Sequence, residues 1–225
     1  MVSVVIVAGG KGTRMGADKN KVLLPVSGKE IISRTVEVFD RCTLVDEIII
    51  VTASCDIDTM KYIITRDGYT KVTHITEGGE LRQNSVYNGL KLANGDFVLI
   101  HDAARCLITN AEILSVITDA KKFGSSAVGV KVKDTLKAID DNGNIISTID
   151  RNKTVHIQTP QAFKTEEILL LHEKAISDNV VATDDCAIFE HYGKTVHLTD
   201  GSYDNIKLTT PEDIAVAEEI LKGRI

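Results

Sequence analysis

Val2-Ser3-Val4-Val5-Ile6-Val7-Ala8-Gly9-Gly10-Lys11-Gly12-Thr13-Arg14-Met15-Gly16 opens the chain. Its aliphatic half is too continuous for a strand wetted on one face and predicts one buried on both faces. The glycines that follow predict a tight turn at the strand's carboxyl end. The apolar run falls well short of the roughly 18 residues a membrane span needs, and the glycines do not fit a signal peptide. The same pattern recurs. Strands are expected at Glu47–Thr52, Lys71–Ile75, Phe97–His101 and Ser126–Val130, and helices at Glu30–Asp40, Asp58–Arg66, Asn84–Ala93 and Asn110–Phe123. Short Val/Ile runs alternating with longer helical periods predict a parallel sheet covered on both faces, an α/β domain.

The alternation stops at Val132. From there to Arg151, alternating strand residues flank the turn signal Asp140-Asp141-Asn142-Gly143-Asn144, which predicts a protruding β-hairpin arm at about 132–151. Beyond it a strand is expected near Thr154–Thr159, helices at Thr165–Ser177 and Thr183–His191, a short strand at Thr195–Leu198, and a last helix from Pro211. Thr210, Pro211, Glu212 and Asp213 supply that helix with a capping hydroxyl, a proline at its first position and acids in its first turn. No repeat or linker divides the chain, so residues 1–225 are expected to form one domain.

The 225 residues carry 26 basic and 32 acidic side chains, a formal net charge of −6. That balance, with the basic residues dispersed, argues against a nucleic-acid binder working by phosphate neutralisation. With 43% hydrophobic residues the chain can bury a substantial core. A mean hydropathy of +0.02 is neither disorder-like nor membrane-like, and a cytoplasmic protein is expected. Cys42, Cys55, Cys106 and Cys186 are separated by 13, 51 and 80 positions, which matches no zinc or redox spacing. They are expected to be reduced and structural; Cys106 alone neighbours polar residues of functional interest.

The first glycine turn can cradle phosphates on its amides. It is not a P-loop, because the second glycine of that motif falls on Met15. Nor is it a dinucleotide fingerprint, which needs a small residue at Met15 and an acid ending the second strand, around Thr52–Ser54. Arg14 within the turn and Lys21 after it place two cations within reach of one triphosphate, unless they are scattered surface charge. A second turn, Glu77-Gly78-Gly79-Glu80-Leu81-Arg82-Gln83-Asn84-Ser85-Val86, faces the same crevice, since ligands of open α/β sheets lie over the carboxyl ends of the strands. Ser85 there suits helix capping as well as base recognition. In His101-Asp102-Ala103-Ala104-Arg105, the carboxylate and guanidinium could bind a metal, a sugar hydroxyl or a phosphate, whereas His101 reads as a core histidine. Asp150-Arg151, Thr159-Pro160-Gln161 and Asp204-Asn205-Ile206-Lys207-Leu208-Thr209 complete the set.

Taken in order, Ala8-Gly9-Gly10-x-Gly12-x-Arg14-Met15, Lys21, Gly78-Gly79-x-x-Arg82-x-x-Ser85-Val86, His101-Asp102-Ala103-Ala104-Arg105, Asp134-Thr135, Asp150-Arg151, Thr159-Pro160-Gln161, Thr183-Asp184 and Asn205-Ile206-Lys207 resemble the 2-C-methyl-D-erythritol 4-phosphate cytidylyltransferases of non-mevalonate isoprenoid biosynthesis. The resemblance covers nearly the whole chain. It implies a Rossmann-like nucleotidyltransferase fold of the nucleotide-diphospho-sugar transferase type, a three-layer sandwich whose β-arm dimerises two copies and reaches the neighbour's site. It implies CTP as co-substrate, a small polyol phosphate as acceptor, and Mg2+.

By the same resemblance Ala8, Gly9, Gly10, Gly12, Gly79, Glu80, Arg82 and Ser85 meet the nucleotide. Arg14 and Lys21 stabilise the transition state, while Arg151 and Lys207 position the acceptor phosphate. Asp102, Ala103, Arg105, Thr135, Thr159 and Thr183 surround the acceptor, and Asp102 is the candidate metal ligand. Two departures stand out. Asn20 precedes Lys21 where the family usually has proline, which removes a φ constraint, is expected to loosen that loop and leaves Lys19 as a competing lysine. Cys106 follows Arg105 where proline is common, which questions the rigidity of that turn. The rival readings are a D-ribitol 5-phosphate cytidylyltransferase, disfavoured by Ala103-Ala104 and by Asn205-Ile206-Lys207, and a nucleotide-binding module without turnover.

Overall fold

The computed structural model describes residues 1–10 and 20–224. The expectations placed on Lys11, Gly12, Thr13, Arg14, Met15, Gly16 and Lys19 therefore lie outside the described residues. The chain runs through β1 (Val2–Val7), a 3-10 turn at Lys21–Leu23, the small hairpin β2 (Pro25–Val26) and β3 (Lys29–Glu30), and α1 (Ile31–Arg41). It continues through β4 (Glu47–Thr52), a second 3-10 turn at Ser54–Asp56, α2 (Ile57–Asp67), β5 (Val72–Glu77), α3 (Arg82–Leu90), β6 (Phe97–Asp102), α4 (Asn110–Phe123) and β7 (Ser125–Lys131). The arm is β8 (Leu136–Ile139) and β9 (Ile145–Ile149). After it come β10 (Val155–Lys164), α5 (Thr165–Ser177), α6 (Asp185–His191), β11 (His197–Asp200) and α7 (Pro211–Lys222).

Seven strands make one sheet in the order β11-β7-β10-β6-β1-β4-β5. Val5 lies between Ile49 of β4 and Ile100 of β6, both parallel neighbours. Alternation along the strands builds two cores. Val4, Ile6, Ile48, Ile50 and Leu99 face Phe39, Met60, Val116 and Ala217, whereas Val5, Ile49, Val51, Val98 and Ile100 face Val86, Leu90, Ile168 and Phe189. The three-layer α/β sandwich expected from the alternation is thus present, with the arm as a separate two-stranded sheet.

Four local expectations are corrected. β10 runs antiparallel to both neighbours, so the sheet is mixed. It also continues to Lys164 instead of stopping at Thr159, because a register shift between Ile157 and Gln161 accommodates Pro160, which has no amide for the ladder. α3 starts at Arg82, two residues early. α6 starts at Asp185, because Asp184 rather than Thr183 is the cap, accepting from the Ala187 amide at 2.9 Å. The last helix starts as expected: Thr210 and Asp213 form a capping box with Pro211 in the first turn. The four cysteines are free, and Cys42, Cys106 and Cys186 are buried. Burial pushes the Cys106 thiol up to about 11, so it stays protonated and unreactive at neutral pH. Among the described residues, no helix is long and apolar enough to cross a membrane.

Candidate active site

The carboxyl ends of β1, β4, β5 and β6 open into one cavity of about 760 Å³, where an α/β sheet is expected to place its ligand. Ala8, Gly9 and Gly10 line one wall and Gly79, Glu80, Arg82 and Ser85 another, with Lys21, Asp102 and Lys207 between them. The two glycine turns do converge. Ser85 is neither cap nor free: its hydroxyl accepts from the Gly79 amide at 3.1 Å and lies 3.2 Å from the Leu81 carbonyl, folding the turn back on α3. The glycines there are sterically required, since a Cβ on Gly78 would lie 2.7 Å from Ser85 Oγ and one on Gly79 2.3 Å from Asn84 Cβ.

Asp102 is the electrostatic centre. Lys207 Nζ lies 2.6 Å from Oδ2 and Arg82 Nε 3.2 Å from Oδ1. Burial raises the Asp102 carboxyl, but Arg82, Lys207 and Arg105 outweigh it and hold the group well below the usual carboxylate range. Behind it, the Asp102 amide donates to Thr159 Oγ1 at 3.1 Å, and Thr159 Oγ1 lies 3.1 Å from His101 Nδ1. His101 Nε2 is 3.3 Å from the Arg105 carbonyl, which can only accept. Nε2 therefore carries the proton and Nδ1 accepts from Thr159. Burial pushes His101 down to about 3, so it is neutral, the core histidine the sequence suggested.

Lys21 sits on its 3-10 turn with Nζ 2.8 Å from the Leu208 carbonyl, which brings it beside the Lys207 segment. Asn20 does not loosen this turn. Its Nδ2 donates to the Ala8 carbonyl at 2.6 Å and to Asp56 Oδ2 at 2.9 Å, and its Oδ1 accepts from the Val22 amide at 3.3 Å. The side chain thus ties the end of β1, the Ser54–Asp56 turn and the base of Lys21 together, replacing a ring constraint by hydrogen bonds. Asn20→Ala is expected to cost about 1–3 kcal/mol by leaving the buried Ala8 carbonyl and Val22 amide without this partner. Urea unfolding checks this, and an unchanged midpoint would mean the bonds add nothing.

Other expected site residues lie elsewhere. Ala103 is buried in the core cluster rather than lining the cavity; its neighbour Ala104 lines it instead. Thr159 is 4% exposed with its hydroxyl already engaged, one layer behind Asp102. Arg105 is half-buried and donates from Nη1 to the Asn205 carbonyl at 2.7 Å, while its Nε is buried without a partner. Thr183 is exposed ahead of α6, and Thr135 and Arg151 are exposed on the arm and at its base, outside the cavity lining. Thr52, Ala53, Ser54, Glu77 and Thr209 also line the cavity, although no ligand contact was expected of them. Thr52 and Glu77 end strands, a position that could have marked them. Among the described residues, no group of three or more His, Cys, Asp or Glu side chains could hold a metal ion.

A sequence profile of the 2-C-methyl-D-erythritol 4-phosphate cytidylyltransferases matches residues 2–223. The chain belongs to this cytidylyltransferase family. A relative of that name from Clostridium acetobutylicum is 45% identical over 99% of this chain and 98% of its own. Another from Clostridium novyi is 44% identical over 97% and 96%. Among solved structures, the 4-diphosphocytidyl-2C-methyl-D-erythritol synthase of Anaerococcus prevotii superposes with a TM-score of 0.87 at 32% identity, covering 98% of this chain and 96% of its own. The cytidylyltransferase fold expected from the sequence is therefore shared along essentially the whole chain, and these relatives carry the name of the methylerythritol phosphate enzyme, not of the ribitol phosphate one.

Proposed function

We propose that this cytidylyltransferase joins CTP to 2-C-methyl-D-erythritol 4-phosphate in the cavity above β1, β4, β5 and β6, giving 4-diphosphocytidyl-2-C-methyl-D-erythritol and pyrophosphate. The observation that carries the reading is the meeting of Arg82 and Lys207 on one carboxylate, with Lys21 lining the same cavity, which is walled by two glycine turns. A phosphate monoester has a second pKa of about 6 and is mostly dianionic at neutral pH, so its oxygen needs no general base. It attacks the α-phosphorus in line, the bond to the bridging oxygen breaks, and pyrophosphate leaves with the electron pair. What the protein must supply is alignment and positive charge.

Ala8, Gly9, Gly10, Gly79, Glu80, Arg82 and Ser85 are the proposed nucleotide contacts, joined by Gly12. Lys21 and Arg14 neutralise charge at the α-phosphate, while Lys207 and Arg151 align the acceptor. Asp102 and Arg105, the latter hinged on Asn205, hold the acceptor hydroxyls, with Thr159 acting behind Asp102 and with Ala103, Thr135 and Thr183 at the periphery. Mg2+ would be borne by the triphosphate, whose charge it would offset; Asp102 is the candidate protein ligand, and it would serve once Lys207 and Arg82, which now pair with its two oxygens, turn to the phosphates. Pyrophosphate release with CTP and Mg2+ tests the reading. Methylerythritol phosphate is expected to be strongly preferred over D-ribitol 5-phosphate, and the reverse preference would overturn the acceptor.

The arm is proposed to pair two copies in a soluble, cytoplasmic homodimer. Ile139, Ile145 and Ile146 are each more than 60% exposed on it, and an isolated two-stranded hairpin is at best marginally stable in water. Thr135 and Arg151, outside the cavity of their own copy, would then serve the neighbour's. Mixing Thr135→Ala with Arg105→Ala subunits should restore about a quarter of wild-type sites, because half the dimers would have one intact site. Activity equal to the average of the two parents would rule out exchange.

A further inference from the structure

Arg82 is held from two sides. Its Nε faces Asp102 in the cavity, and its Nη1 lies 2.9 Å from Oδ2 of Asp185, the first residue of α6. Asp185 is 1% exposed, and its Oδ1 lies 3.2 Å from Nε2 of His172, a fully buried residue of α5. His172 Nδ1 is buried without a partner, so a proton there would be an unsatisfied donor, and Nε2–H is the group that meets Asp185. The backbone that carries this carboxylate is tied down. Gln161 of β10 accepts from the Asp185 and Cys186 amides, both at 3.1 Å, and donates to Asp184 at 2.8 Å. Burial raises Asp185, but Arg82 and His172 outweigh it and keep the carboxylate ionised.

This arrangement goes beyond structural neutralisation. A buried carboxylate is costly to desolvate, and the pairing with Arg82 and His172 is what offsets that cost. On the cavity side Arg82 shares Asp102 with Lys207, and an incoming phosphate competes for both cations. The contact behind Arg82 survives that competition, because Asp185 lies on the far side of the guanidinium and is closed off from solvent. Arg82 can then release Asp102 and accept a phosphate oxygen without searching rotamers, which lowers the entropy cost of binding. We propose that Asp185, oriented by His172, is a positioning residue that keeps Arg82 aimed at the nucleotide phosphates. This rests on the reading of Arg82 as a nucleotide contact.

The test is a double-mutant cycle on the full-length protein, read as KM for CTP, KM for methylerythritol phosphate, and CTP affinity by calorimetry. Asp185→Asn keeps the shape and one acceptor but removes the charge. It is expected to raise KM for CTP about tenfold, with KM for the acceptor changed less than about twofold. Added to Arg82→Ala it should have almost no further effect on CTP affinity, since Asp185 acts only through Arg82. A purely structural Asp185 would lower the melting temperature and leave the CTP parameters unmoved, which would overturn the proposal, as would full additivity in the cycle. If Arg82→Ala alone leaves CTP binding intact, the nucleotide reading of Arg82 fails too, so the two failures are distinguishable. Should Asp185→Asn not fold, the His172 pair gives the same answer. His172→Gln can still donate to Asp185 and should match wild type, while His172→Leu should raise KM for CTP; equal CTP parameters in both would overturn the proposal.

Discussion

Lys207→Ala is expected to fold normally and to lower kcat about a hundred- to a thousandfold, roughly 3–4 kcal/mol for one lost transition-state contact. The fold is spared because the segment is held by other atoms. The Leu208 amide donates to the Ala104 carbonyl at 2.9 Å, and Asn205 Nδ2 donates to the Thr159 carbonyl at 3.1 Å. Lys207 itself is 40% exposed, so its ion pair with Asp102 adds little stability, and Asp102 keeps Arg82 when the lysine is gone. Catalysis is not spared. The attacking phosphate is a dianion approaching a polyphosphate, and alignment of the two depends on a cation at this place. The loss should fall on kcat more than on KM for CTP, with Lys207→Arg partly active because it keeps the charge but not the geometry. Steady-state kinetics on a variant shown to be folded by circular dichroism decides it; normal turnover would remove Lys207 from the reaction.

The sheet was legible because its central strands are buried on both faces: Val4, Val5, Ile6, Ile48, Ile49 and Ile50 are all inaccessible to solvent, so their aliphatic runs had no polar phase to confuse. The order of the glycine turns and strand ends likewise brought Ala8–Gly10, Gly79, Arg82, Ser85, Asp102 and Lys207 to one cavity, but not Thr135, Arg151 or Thr183. What stayed hidden depends on tertiary partners. The strand expected to end at Thr159 continues through Pro160, and the register shift against β7 that makes room for the proline is set by the partner strand. Asn20 read as a missing proline, whereas its amide bridges Ala8 and Asp56, the latter 36 residues away. Asp185 carried no signal in the sequence at all, because its partner Arg82 stands 103 positions earlier. Such residues have no local signature: their role is set by what the fold brings opposite them.

Asp102→Asn should be the most destabilising single change at the site, by about 3–5 kcal/mol at neutral pH, because it leaves clustered cations without their counter-charge. Arg82, Lys207 and Arg105 all act on this carboxylate, whose side chain is only 12% exposed. The pH dependence has a definite sign. The folded-state value lies below the ordinary 3.8, so the unfolded chain binds the proton more readily. The carboxylate's contribution is therefore complete at pH values above 3.8 and is lost as the pH falls through the folded value. Urea unfolding of the wild type should lose stability steeply below about pH 4. Asp102→Asn should start lower and show a shallower acid limb, since the group that would have taken up the proton is gone. A variant with the same acid limb as wild type would mean that the fold does not depress the Asp102 carboxyl, and the charge cluster proposed to receive two phosphates would lose its centre. Asp185 serves as the internal comparison: it too is buried, depressed and paired with Arg82, but it lies behind the guanidinium. Asp185→Asn should flatten the same limb while leaving the acceptor's KM nearly unchanged, whereas Asp102→Asn should raise it. The two carboxylates thus separate by which substrate they serve, although they share one arginine.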